Sequence, residues 1–536
     1  MIRIQAPQGI LPRYNPRLLN NNQAQKAFNC VLDQGDCRPL KDTIEKQFLT
    51  SSTKTVFKYG SWRQFDNYAS VIRSPVDAGD YRYYWTDENG GGYKTEEGKG
   101  ALPLGVPQPD TGPSLTKGGS SSEDNPLRSS VYVYTRVTAW GEESAPSGPS
   151  GVMDVYDGEW IEFSDMSDGE SSHVTHYRIY RTIGGHTGSV YVAVPFQTTA
   201  GNIIYDGDNN IKYDIPKGDI GDMKDGLRDA DLTVSMEVLD WLEPPSDMKF
   251  LTDLGNGIMM GASGKEVVFS ALWAPYAYPL AYRYNLDSQV TGVGHVAGIP
   301  VAFTKYSTYI FDGSTPDSFQ QRKISETQGC VSHLSICSTL DGVLFASREG
   351  LCVANPNGVN ILSLPVWLRE QWKEMDINNL IGAYFNKRYY GFFKGDKKGF
   401  IFSLNDIEQS IVEFELDDDV VNVYVEGDGG HLYIVFEGHL DEFDVGDNLT
   451  SQWKSKIFRV GPINFSSFKI VGDEGDSKIT FYVDGQQKYQ ILEAEHNKSY
   501  RLPTGFIGRE FEIEIESEYR WYSMGMSRSM EELNNV

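Results

Sequence analysis

Residues 417–419 are an unbroken run of three acids, Asp417, Asp418 and Asp419, with Glu426 and Asp428 close behind. Two convergent carboxylates are what glycoside hydrolysis requires, one as general acid and one as base or nucleophile. Neighbours on a strand point to opposite faces, so adjacent acids make poor catalytic partners, and a solvated turn is the simpler reading. Asp206, Asp208 and Asn210 echo the opening of a calcium loop, but Ile211 stands where that loop needs glycine and the terminal glutamate is missing. A turn before a strand accounts for them. His173 and His176 have no cysteine or second histidine pair beside them and read as loop residues rather than metal ligands. No H-E-x-x-H, G-x-S-x-G or G-x-x-x-x-G-K-[ST] occurs in the chain. No enzyme, cofactor or metal site is expected.

Five cysteines, at 30, 37, 330, 337 and 352, include no C-x-x-C pair, and their odd number argues against a disulfide framework. Buried reduced thiols are expected. The alternating aromatics Tyr81, Tyr83, Tyr84 and Trp85 could stack on sugars, yet in strands such residues are usually core or cross-strand pairs.

Elements that would position these residues are mostly strands. Fifty-four glycines, 31 tyrosines and 26 phenylalanines favour pleated strands and tight turns over helices. At 536 residues the chain exceeds one ordinary core. No apolar run reaches the roughly 18–20 residues that cross a bilayer, and the first residues lack the continuous apolar stretch of a secretory signal. Synthesis and folding in the cytoplasm are therefore expected, without membrane insertion. The net charge of −26 disfavours a protein that grips nucleic acid through its phosphates. The charge is also uneven. Residues 405–447 hold fourteen acids and no Lys or Arg, whereas residues 1–60 carry nine Lys and Arg against four acids.

A hairpin pattern recurs along the second half. It begins at Ile258, Ile299, Val343, Tyr389 and Leu432, with spacings of 41, 44, 46 and 43 residues. Further strand-like pieces lie between, giving about four short strands per unit, the period of a β-propeller blade. Each unit is too small for its own core and must bury its faces against neighbours. Residues 1–54 show little periodicity and read as an extended N-terminal arm with one short helix near 20–32. Residues 55–98 would form a first blade, and 99–129, rich in Gly, Pro and Ser, a linker. Short alternating strands over 130–232 suggest a small β-sandwich, fibronectin III-like in its Y-x-x-T-x-V-T-x-x-G-E-E-S-x-P-S phrase. Residues 233–454 are the remaining blades, and 455–536 a C-terminal β-rich domain closing the propeller. The expected fold is mainly β, a propeller with an inserted sandwich.

Several phrases, in order, resemble the tail nozzle or tail-tube proteins of short-tailed bacteriophages. They are FNCVLDQGDCRPLKD, with its Gly-x-x-Arg-Pro-Leu core; YGSWRQFDNYASVIRSPV; RVTAWGEESAPS; LEPPSDMKFLTDLGNGIMMGASGKEVVFSALWAPYAYPLAYR; QGCVSHLSICSTLDGVLFASREGLCVANPNG; and FEIEIESEYRWYSMGMSRSMEEL. The resemblance implies a structural virion protein, a homo-oligomeric ring of generally six copies below the portal and head-to-tail adaptor. Such a ring retains the genome, conducts DNA during ejection and carries tail fibres or spikes. On this reading DNA passes without specific binding, and Asp417, Asp418, Asp419, Glu426 and Asp428 are candidate linings of an acidic channel. The basic arm could meet an acidic neighbouring ring or subunit. The rival readings are a glycan-binding, adhesin-like receptor protein and a propeller glycosidase.

Overall fold

The computed structural model describes every residue except 33–34, 77–78, 80, 96–97, 123, 170, 172, 184–189, 405–410, 428–429, 504–506 and 536. The chain is mainly β and forms two compact units. One comprises Met1–Ala69, Thr291–Phe311 and Gln321–Val536, the other Ser70–Val290 and Asp312–Gln320.

Four antiparallel four-stranded sheets of propeller-blade type lie wholly or largely in the first unit. The first runs Val290–Val296, Ile299–Thr304, Thr308–Asp312 and Gln320–Ser325, and the second Cys337–Ser338, Val343–Ala346, Leu351–Asn355 and Gly358–Ile361. The third is Leu380–Phe385, Arg388–Phe393, Lys398–Ser403 and Ile411–Glu415. In the fourth, Asn422–Val425, Leu432–Phe436 and His439–Glu442 are joined by Ile44–Phe48, almost four hundred residues upstream. Middle strands such as Val343–Ala346 and Leu432–Phe436 are buried along their whole length, so they read as apolar runs rather than alternating ones. Outer strands are exposed, as in Gln320–Ser325. Adjacent sheets pack through their large side chains, with the Phe303 and Phe345 rings 4.5 Å apart.

Two further sheets in this unit form a sandwich. One contains Ile2–Gln5, Trp521–Ser527, Ser467–Gly472 and Ser499–Arg501. The other orders Ala24–Phe28, Ser451–Ser455, Ile507–Ser517, Asp476–Val483 and Gln486–Glu495, with Phe458–Asn464 also on Ile507–Ser517. Trp453 meets Trp521 at 5.4 Å and Phe468 meets Phe481 at 5.1 Å between the sheets. Ala24–Phe28 also pairs in parallel with Ile411–Glu415, Phe28 opposite Glu413, which makes the third blade and this sheet continuous.

The N-terminal segment thus supplies strands to three sheets. Residues 24–28, where a helical turn was expected, are a strand because the edges on both sides recruit them. Among the described residues the strands Thr55–Tyr59 and Ser61–Phe65 form a two-stranded sheet.

In the second unit, one blade-type sheet holds Ala69–Arg73, Tyr83–Asp87, Gly92–Thr95 and Leu102–Pro103, beginning fourteen residues later than the boundary read from the sequence. Another holds Lys249–Asp253, Met259–Ser263, Glu266–Phe269 and Arg283–Asn285. Between them come Ser114–Gly119, Glu159–Ser164 and Lys224–Asp225 in one sheet, and Tyr132–Thr138, Val174–Thr182, Tyr191–Ala193 and Ile215–Pro216 in another. Tyr132, Tyr134, Ile161, Phe163 and Ile179 fill the space between these sheets. The stretch read as linker holds the strands Leu102–Pro103 and Ser114–Gly119 and most of Leu127–Ser130. The Gly, Ser and Thr of Ser114–Gly119 suit an exposed edge, and its pairing partner Glu159–Ser164 supplies the apolar side chains; Leu127–Ser130 pairs instead with Met153–Tyr156.

Candidate functional site

Asp417, Asp418 and Asp419 occupy the turn between Ile411–Glu415 and Asn422–Val425, and all three are exposed. The Lys397 ammonium donates to the Asp417 backbone carbonyl. Asp418 lies 3.9 Å from His439 Nε2, which is also 3.7 Å from Asp441. Glu426 follows the strand Asn422–Val425, at the end away from the triplet. It pairs with Lys58 at 2.8 Å and accepts from the Tyr433 hydroxyl at 3.4 Å. Asp428 lies outside the described residues. Among the described residues, the triplet and Glu426 therefore lie at opposite ends of the strand Asn422–Val425.

What the sequence does not reveal is how the rest of the acidic stretch is neutralised. Arg38 makes a bidentate pair with Asp444, at 3.2 and 2.9 Å, and Asp444 also accepts from the Lys41 amide at 2.8 Å. The Thr43 hydroxyl donates to Asp441 at 2.7 Å. Lys46 and His431 both reach Glu442, at 2.7 and 2.5 Å. Burial works to raise the Glu442 carboxyl, but the hydrogen bonds from Lys46 and His431 outweigh it and hold the group below the ordinary glutamate range. The basic arm finds its acids within its own chain. The opposite charge signs of 1–60 and 405–447 were the only available signal.

A second concave feature lies beside the parallel junction of Ala24–Phe28 and Ile411–Glu415. A cavity of about 500 Å³ opens there, with Trp367, Met375, Phe393 and Phe400 as its apolar lining and Lys26, Lys398, Glu413 and Glu415 among its polar groups. Strand register arranges them: Phe400 and Phe28 both pair with Glu413, and Lys398 pairs with Glu415. The Phe400 ring crosses over Gly391, where a Cβ would lie only 2.3 Å from the ring carbons, so glycine is needed for that ring to settle on the sheet. Trp367 stands edge-on to Phe400 at 5.3 Å and 78°. Withdrawal from water pushes the Glu413 carboxyl up, against the opposing pull of Lys26 and Lys398.

The remaining motifs resolve into structure. Asp206 accepts from the Asp208 and Asn210 amides at 2.9 and 2.8 Å, and closes a turn. His176 Nδ1 contacts the Thr175 hydroxyl at 2.9 Å, while His173 Nε2 lies 3.6 Å from Glu142. Among the described residues no group of three or more His, Cys, Asp or Glu is placed to hold a metal ion. All five cysteines are free and buried.

No protein-family model and no curated protein matches this chain. Among solved structures it is similar to the Neurospora crassa Pan2 WD40 domain, at 7% identity over 71% of this chain and 90% of that one, with a TM-score of 0.26. It is also similar to Kluyvelomyces marxianus Hsv2, at 11% identity over 62% of this chain and 95% of that one, with a TM-score of 0.27. Scores this low carry no argument; the propeller assignment rests on the strand pairings.

Proposed function

We propose that this chain is a structural protein of a short-tailed phage tail, a nozzle or tail-tube subunit that assembles into a ring, conducts DNA and carries fibres or spikes. The observation that carries the reading is a contact between its two most distant diagnostic phrases. In GDCRPL near the start, the Cys37 amide donates to the Trp521 carbonyl at 2.8 Å; in EYRWYSM near the end, the Trp521 amide donates back to Cys37 at 3.1 Å. Arg520 pairs with Asp36 beside them. The two phrases that carry the resemblance thus meet in one junction of this chain. The inserted sheets between the first two blade-type sheets of the second unit are read as the fibronectin III-like module, and the segment from 455 onward as the closing domain. No catalytic step belongs to this function, and the head-to-tail adaptor is the expected neighbour in the virion.

Mass photometry and negative-stain microscopy of the purified protein should show a ring of about six copies with a central channel. Labelled protein in intact particles should mark the tail. A monomer or trimer in solution, or label over the capsid shell, overturns the proposal.

A further inference from the structure

We infer that the cavity beside Glu413 is a binding site for a neutral pyranose unit of a glycan. Its size is that of a small-molecule site, and its apolar floor with a few convergent polar groups has the usual character of one. The rim charges decide the class of ligand. Lys26 and Lys398 are matched by Glu413 and Glu415, so an anion or a cation entering here gains one attraction and suffers one repulsion. A neutral polyol suffers neither. Its hydroxyls donate to the carboxylates and accept from the ammonium groups, each in its only available role.

The floor answers the other half of a sugar. A pyranose has one face of C–H bonds, which packs on aromatic rings, and the half-buried Phe393 and Phe28 supply that surface, with the buried Phe400 and Trp367 behind them. Glu413 and Glu415 are exposed on the strand Ile411–Glu415, where their carboxylates can accept from a hydroxyl. Register keeps the constellation rigid, because Lys398 faces Glu415 and Phe400 faces Glu413 on adjacent strands. The site is independent of the ring assembly and of DNA passage, and stands or falls separately from them.

The test uses the full chain and saturation-transfer NMR with calorimetry. Probes are the methyl pyranosides of glucose, galactose, mannose and N-acetylglucosamine, with glucuronate and glucosamine as charged controls. At least one neutral glycoside should bind with Kd near ~1 mM, and Glu415→Gln/Lys398→Met should weaken it by about tenfold or more. Both substituted residues are exposed, so the melting temperature of this variant should match the parent. Phe393→Ala should weaken binding similarly, and if that variant is poorly folded the rim pair still decides the matter. Absence of binding by every neutral glycoside at about 20 mM, tighter binding of a charged control, or undiminished affinity in the rim variant overturns the inference.

Discussion

Glu442 accepts from Lys46 and His431 while sitting 7% exposed on the strand that pairs with Ile44–Phe48. Its carboxyl is held below the ordinary value of 4.5. A carboxylate depressed in the folded state contributes stability above its unfolded value, and that contribution is lost as pH falls through the folded value. Glu442→Gln should therefore destabilise the protein at pH 7 by about 1.5–3 kcal/mol, the usual worth of a hydrogen bond to a charged group. The difference from the parent should shrink steadily below pH 4.5, as urea melts across that range would show; a constant difference means that the charge is not what Glu442 contributes. Glu510, bound by Arg17 and Arg459, is depressed to about 2, so its pairs should persist into stronger acid. None of these partners was legible from local sequence. The acids stood out as a run, but Arg38, Lys46 and Lys58 lie hundreds of residues away, and nothing in a strand's own composition names the side chain opposite it. The Asp417–Asp419 turn was legible, because adjacent acids on a short connection have no buried face to occupy.

Strands that carry their own alternation or apolar run were readable, and those that borrow their environment were not. The hairpins starting at Val343 and Leu432 are inner pairs buried on both faces, and their spacing exposed the repeat. Ala24–Phe28 was mistaken for helix because its sequence, AQKAF, has good helix formers; two waiting sheet edges override that preference. Ile44–Phe48 is almost wholly exposed, and its role is to complete the fourth strand of a blade. Deleting residues 1–50 should leave His439–Glu442 as a bare edge and make the protein aggregate, visible as early elution on size exclusion. A truncated chain that stays monodisperse would show that the blade does not need this strand. The inserted segment is fixed differently. Lys94, fully buried in the first blade-type sheet of the second unit, pairs with Glu142 and donates to the Leu104 carbonyl at 2.9 Å. Arg82 covers Trp140 at 4.0 Å beside it. Lys94→Met alone strands a buried carboxylate and should cost about 3–5 kcal/mol, whereas Lys94→Met/Glu142→Leu should recover much of that loss. A double variant as unstable as the single one would show that the pair is valued for more than mutual neutralisation.

On the scale of the molecule, the composition announced strands and the 41–46-residue period announced blades, because each blade repeats the same burial problem. The boundary of the first blade and the linker were misplaced, since Gly- and Ser-rich strands such as Ser114–Gly119 take their apolar cover from partners and carry no pattern of their own. The charge is a property of the whole chain, and a net −26 is more than its internal pairs consume. Lys58, Lys46 and Arg38 each neutralise one acid of the 405–447 stretch, but among the described residues no cation pairs with the exposed Asp417 and Asp419, and Asp418 has only the histidine 3.9 Å away. If the conduit reading holds, these are the groups free to repel passing phosphates. Replacing all three with Lys turns a repelling turn into a phosphate-binding one, and each new contact should add about −0.9 to the slope of log affinity for duplex DNA against log salt. The parent protein should show no such slope, since it should not bind the duplex at all near physiological salt. Virions carrying the Asp417→Lys, Asp418→Lys, Asp419→Lys protein should then eject their genome more slowly than the parent, with the delay growing as ionic strength is lowered. Salt-independent ejection at the parental rate, alongside DNA binding by the isolated variant, would place this turn on a surface the genome never meets.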